Sequence, residues 1–171
     1  MQYDIGDKVL YPMHGAGEIV AVEEKEILGQ IQSYYILKLP NGGMKVMVPT
    51  LKLEEIGVRD IIDSKKASEV IKNFKGGFEE ETEHNWNKRY RDNMAKLKTG
   101  DICMVLEVVK SLVMRDKRKG LSTGERKMLT NSKQILFSEL ILASEKSEEE
   151  LECLLNGACE EEFEARCAVN G

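Results

Sequence analysis

A chain of 171 residues, 42% hydrophobic and 32% charged, has enough apolar content to fold around a core, and its length suits one modest domain with a smaller module. No window approaches the ~20 apolar residues that cross a bilayer, and the opening Met1-Gln2-Tyr3-Asp4 lacks the layout of a secretory leader, so a soluble cytoplasmic protein is expected. The net charge of -5 hides a segregation: residues 84–138 carry 13 Lys+Arg against 5 Asp+Glu, a net of +8, whereas residues 1–83 stand at -5 and residues 139–171 at -8.

The first fifty residues read as strands and turns. Gly6-Asp7 opens the run Lys8-Val9-Leu10-Tyr11, Pro12 closes it, and Gly15-Ala16-Gly17 marks a tight connection before Glu18-Ile19-Val20-Ala21-Val22. Gln30 to Leu39 is rich in β-branched and aromatic residues, Pro40-Asn41-Gly42-Gly43 supplies positive-φ positions for a hairpin, and Met44 to Val48 runs to the stop at Pro49. Four or five short antiparallel strands at this spacing predict a small barrel of SH3 or Tudor type over residues 1–56, too small to bury much without a neighbour.

From residue 57 onward the apolar period becomes helical, and an all-α bundle over 57–171 completes an α+β chain, with a linker and first helix over about 57–83. Asp60 to Phe74 reads as that helix, Gly76-Gly77 as its end, and Phe78 to Glu83 as a solvated acidic loop. A second helix runs from near Asn85 to Lys98, and Thr99-Gly100-Asp101 breaks it and caps the next, whose Ile102, Val105, Leu106, Val109, Leu112 and Val113 form one buried stripe. Arg115 to Lys119 suits that helix's C-terminal dipole, Gly120 stops it, and Ser122 with Glu125 three residues on reads as a capping box opening a helix through Leu140 and Ile141. Ser147-Glu148-Glu149-Glu150 opens a final acidic helix carrying Leu151, Leu154, Leu155 and Phe163.

No catalytic motif is present: there is no nucleophile elbow, P-loop, GxGxxG or HExxH, and the acidic runs at 79–81 and 160–162 lie in segments where ordinary ionised carboxylates are expected. Cys103, Cys153, Cys159 and Cys167 lack CxxC spacing and lie far from His14 and His84, so no metal, cofactor or small-molecule substrate is expected. The informative cluster is Asn85-Trp86-Asn87-Lys88-Arg89-Tyr90-Arg91, which sets the chain's single tryptophan at a helix start among polar and basic neighbours. Either Trp86 continues the stripe Tyr90, Met94, Leu97 and packs, or it is a rigid aromatic wedge beside phosphate-binding cations.

These residues also carry a resemblance. The chain resembles CarD, the CdnL-type bacterial regulators that bind RNA polymerase, over nearly its whole length. The similarity rests on Gly6 to Pro12, His14-Gly15-Ala16-Gly17, Val48-Pro49, Gly57-Val58-Arg59, Asn85 to Tyr90, Lys98-Thr99-Gly100-Asp101, and above all the run Arg115 to Leu129. It implies a Tudor-like domain, similar to the polymerase-interacting module of transcription-repair coupling factor, that adds an edge strand to the RNA polymerase β subunit. It also implies a helical domain lying on promoter DNA at the upstream edge of the bubble, where a tryptophan wedges into the minor groove and stabilises the open complex.

On that resemblance Trp86 would be the wedge, Lys88, Arg89 and Arg91 phosphate contacts, and Arg115, Lys117, Arg118 and Lys119 further DNA-facing residues. Lys25 falls where the family has a basic polymerase contact, and Lys45, Val46 and Met47 lie on the strand expected to meet the lobe, Met47 standing where a basic residue is expected. The acidic segment from Glu139 onward reads as a packed helix with a solvated face, or as a screen over the basic block whose removal after Ala143 would tighten non-specific DNA binding. Two other readings stay open: an operator-specific helix-turn-helix repressor using Arg126, Lys127, Asn131 and Gln134, and a peptide-binding β module on a helical scaffold without nucleic acid.

Overall fold

The computed structural model describes residues 2–78 and 84–170, with the side chain of residue 170 left aside. An antiparallel sheet of five strands comes first: β1 (Lys8–Tyr11), β2 (Gly15–Ile27), β3 (Gln30–Lys38), β4 (Lys45–Pro49) and β5 (Arg59–Asp60), in the order β4-β3-β2-β1-β5. A short helix α1 (Leu53–Ile56) precedes β5, and α2 (Ser64–Lys72), α3 (Trp86–Lys98), α4 (Ile102–Lys119), α5 (Thr123–Ala143) and α6 (Glu148–Asn170) follow. The chain is α+β, as expected, but the sheet takes its last strand from beyond residue 56, where Asp60 pairs with Val9 and Arg59 with Leu10.

Local chemistry accounts for most element ends. Asn85, Asp101 and Ser122 each turn a side-chain oxygen onto a backbone N–H of the helix that follows, satisfying donors that the first turn leaves orphaned. The helix expected over 60–74 is shorter, because Asp60 is committed to the sheet and Asp63 caps the start by accepting from the Lys66 amide. The loop expected over Phe78 to Glu83 lies, past Phe78, outside the described residues.

Gly15-Ala16-Gly17 is not a connection but the first stretch of β2, in register with Tyr11, Leu10 and Val9; the turn lies just before it, where Met13 adopts a φ of 72°. The Ala16 amide is held there by the Ser138 hydroxyl of α5 at 2.9 Å. The two sheet faces part company at this point. Val9, Ile19, Tyr35, Leu37 and Val48 pack with Leu53 and Val58 in a core of the sheet's own, while Leu10 and Ala16, on the opposite face, enter the core of the helices. The small sheet does lean on a neighbour, and that neighbour is α5.

Candidate nucleic-acid interface

Asn85 fixes where α3 begins by accepting from the amides of Asn87 and Lys88, which makes Trp86 the first helical residue. One turn on, Tyr90 stacks under the indole, centroids 5.3 Å apart at 21°, and the stripe continues inward through half-buried Met94 to buried Leu97. Trp86 itself stays 41% exposed. Packing and display, the two roles open to it from sequence, are combined: the stripe anchors the ring, and the ring stands at its solvent end.

The ring rests on the start of α5. Its Nε1–H donates to the Ser122 hydroxyl at 2.9 Å, and Gly124 leaves room for it, since a β-carbon there would lie 3.3 Å from Cζ2. Ser122 Oγ also accepts from the Glu125 amide, as an N-cap should, at 3.2 Å. The capping box is otherwise altered. The Glu125 carboxylate, in a residue only 4% exposed, stands 3.5 Å from Arg89 and 3.5 Å from Arg115 as a buried counter-ion joining α3, α4 and α5.

This corrects one expectation and bears on a second. Arg89, expected among the phosphate contacts, is 6% exposed, faces Glu125 and donates to the His84 carbonyl, because a buried carboxylate is stable only beside a compensating charge. Arg115 is drawn to the same carboxylate, although part of its side chain still meets solvent. Lys117 is exposed too, but points another way. About 200° around the helix from Arg115, it lies 3.7 Å from Glu160 of α6 and 5.8 Å above the Phe163 ring. Lys88 and Arg91 on α3, and Arg118 and Lys119 at the end of α4, are exposed.

Sequence reasoning left Ser122, Gly124 and Glu125 as mere helix-start residues and gave Arg126 and Lys127 only to the repressor reading. The signal was Gly124 itself, since glycine in a first helical turn is a costly choice unless something needs the space. Lys127 follows Gly124 by three positions on the same face, and with Thr123, Arg126, Thr130, Asn131 and Gln134 it lines one shallow concavity beside the indole's seat.

In the sheet, register sorts the polymerase candidates. Met47 pairs with Ile36 and Lys45 with Lys38 across β3–β4, while Lys25 pairs with Gln32 across β2–β3. Cross-strand partners share a face and alternate residues change it. Lys25, Lys45 and Met47 therefore stand on one face, and Val46, paired with Leu37, belongs to the other. β4 is one of the two edge strands, paired by the sheet on one side only. Among the described residues no helix is long and apolar enough to cross a membrane, and no group of three His, Cys, Asp or Glu residues could hold a metal ion.

Residues 3–62 match the family described as CarD-like/TRCF RID domain, and residues 69–156 match the CarD C-terminal domain. YdeB of Bacillus subtilis (strain 168), named as a candidate transcription factor, is 41% identical over 138 residues, which cover 81% of this chain and 90% of YdeB. The solution NMR structure of the 72-residue N-terminal domain of Myxococcus xanthus CarD is 37% identical over 34% of this chain and 79% of that one, with a TM-score of 0.31. CdnLNt from the same organism is 40% identical over 36% of this chain and 87% of its own, also at a TM-score of 0.31.

Proposed function

Starting from a chain that belongs to the CarD family of transcription regulators, we propose that it bridges RNA polymerase and promoter DNA and prolongs the life of the open complex. The β4 edge, with Lys25, Lys45 and Met47 on one face beside it, meets a lobe of the polymerase β subunit by strand addition. The bundle lies on the upstream edge of the bubble. Trp86 presses on the opened base step, and Lys88, Arg91, Arg118 and Lys119 neutralise phosphates around it. Val46 helps shape the edge strand from its inner side.

The observation that carries this reading is the half-exposed indole held between α3 and the start of α5, with exposed cations on the first turns of α3 and at the end of α4. An aromatic displayed in that way acts on DNA by intrusion into a deformable step, and phosphate contacts carry no base sequence, so little sequence preference is expected. Because an open complex that lives longer helps a promoter that opens poorly and delays one limited by escape, both activation and repression follow from one physical act.

The test is a pull-down with core RNA polymerase followed by promoter-opening kinetics with Trp86→Ala. The expected result is full retention of polymerase binding with an open complex that decays roughly tenfold faster, the loss of about one base-stacking contact. The concavity bearing Arg126, Lys127, Asn131 and Gln134 keeps an operator-reading repressor as the second reading. Sequence-specific retardation of DNA without polymerase would favour it, and indifference to Trp86→Ala would favour a peptide-binding module.

A further inference from the structure

We propose that Ser122 and Gly124 are positioning residues for Trp86: together they hold the indole in one orientation before DNA arrives, an inference that rests on the wedge role given to Trp86 above. Three constraints, one from α3 and two from the start of α5, act on the ring. Tyr90 stacks on one side from α3, the Ser122 hydroxyl of α5 takes the Nε1–H, and the bare α-carbon of Gly124 admits the benzo edge at Cζ2. The hydrogen bond is exposed and alone would compete with water, but the stack and the glycine gap leave the ring few other places to go.

Two consequences follow from the chemistry. Indole has a single donor and no acceptor, and Ser122 already occupies that donor. Trp86 therefore meets DNA with hydrocarbon alone, so it reads the ease of unstacking and no base edge. In addition, Ser122 Oγ accepts at the same time from the Glu125 amide and stands 3.2 Å from the Glu125 carboxylate, which is held by Arg89 and Arg115. The orientation of the wedge is thereby tied to the buried ionic centre of the bundle. Glu125, Arg89 and Arg115 act on DNA through the ring they brace.

Because Trp86 is the chain's only tryptophan, its fluorescence reports on the seat directly. The experiment compares Ser122→Gly, Ser122→Thr and Gly124→Ala by time-resolved anisotropy of the free full-length protein, then by open-complex lifetime with polymerase. Glycine caps a helix nearly as well as serine but lacks the hydroxyl, so Ser122→Gly should leave α5 intact while giving the indole a larger fast anisotropy loss. Its open complex should decay about threefold faster, and Ser122→Thr should restore both readouts.

Gly124→Ala makes the sharper prediction. Alanine is the better helix former, so thermal stability should hold or rise while the displaced ring shortens the open-complex lifetime. A loss of stability in step with lifetime would reduce Gly124 to a packing position and overturn its part. Unchanged anisotropy in both Ser122→Gly and Gly124→Ala would overturn the seat with no DNA or polymerase present. Altered anisotropy with unchanged lifetime would overturn its bearing on the wedge. If Trp86→Ala itself leaves the lifetime unchanged, the wedge reading fails, and the anisotropy still decides whether the seat exists.

Discussion

Arg59 of β5 reaches out of the sheet and grips Glu139 of α5 with both ends of its guanidinium, Nη1 to Oε1 at 2.6 Å and Nη2 to Oε2 at 3.0 Å. The same arginine donates through Nε and Nη2 to the Gly100 carbonyl, between α3 and α4, and Glu139 also accepts from the Ile62 amide. This ion pair, with its bonds to the Gly100 carbonyl and the Ile62 amide, ties the sheet to the bundle and so constrains the angle between the proposed polymerase-binding edge and the proposed DNA face. The Glu139 side chain is 1% exposed, so Arg59→Ala strands a buried carboxylate and should lower stability by about 3 kcal/mol. Arg59→Lys should rescue little of it, because an ammonium cannot reproduce the planar fork. Thermal denaturation of the two variants checks this, and equal melting temperatures for Arg59→Ala and the parent protein would refute it.

That tie was invisible in the sequence for a physical reason. The caps at Asn85, Asp101 and Ser122 and the apolar stripe of α4 were legible because side chain and partner lie within one or two turns, so spacing alone encodes the contact. Arg59 and Glu139 are 80 positions apart, and Ala16 and Ser138 are 122 apart. No local period links such pairs. Arg89 shows the converse limit: a cation beside an exposed tryptophan reads as a phosphate contact whichever way it is turned, and only the partner, Glu125, decides that it turns inward.

The join between Ala16 and Ser138 makes a second prediction. Ser138→Ala leaves a buried amide without its acceptor, which should cost about 1 to 3 kcal/mol. Gly15→Ala should cost more, since its φ of +122° disfavours any side chain and a new β-carbon would stand 2.9 Å from Ser138 Oγ. The double variant removes the collision but not the backbone strain. Its loss should therefore be smaller than the sum of the two single losses, yet its stability should stay below that of the parent, as measured by chemical denaturation in a double-mutant cycle.

The ion pairs at the start of α5 should differ in weight. Glu125→Ala removes a buried counter-ion from between Arg89 and Arg115 and should destabilise by about 3 to 5 kcal/mol. Arg126, whose contact with Asp116 is at 3.4 Å and exposed, should cost less than about 1 kcal/mol when changed to Ala. If the two substitutions proved equal, the buried ionic centre would not be what holds α3, α4 and α5 together.

The cysteines give a chemical readout of the packing of α6. Cys153 and Cys167 are exposed and should react at once with a thiol reagent in the native protein, whereas Cys159 is buried and should react only on unfolding. Burial pushes the Cys159 thiol above its ordinary range, so the folded state holds that proton more tightly than the unfolded chain does. Its contribution to stability is present below the ordinary thiol range and is lost as pH rises through the folded value. Burial has the opposite effect on Lys110, whose lowered value means that the charged form is penalised in the fold and that this penalty is relieved with rising pH. Cys159→Ala should accordingly flatten the alkaline limb of a stability profile, and an unchanged limb would argue against a buried thiol.

The acidic helix α6 packs on the basic region and should weaken the proposed hold on DNA. Glu160 stands 3.7 Å from Lys117 and Glu152 2.7 Å from Lys133, while Arg166 donates to the Phe78 carbonyl and so pins the end of the helix beside the segment leading towards α3. Truncation after Ala143 cannot test the screen, because Leu151, Leu155, Ala158 and Cys159 are buried in the bundle core and would be lost with it. Neutralising the two glutamates in place avoids that loss. Glu160→Gln with Glu152→Gln should lower the melting temperature only slightly, since both pairs keep access to solvent. Each lysine so released can displace a counterion from a phosphate, so non-specific DNA binding at low salt should tighten. The plot of log affinity against log salt should steepen by up to about 0.9 for each new contact. The gain should vanish as salt rises, and an affinity at low salt equal to the parent's would show that α6 is only a packed helix with a solvated face.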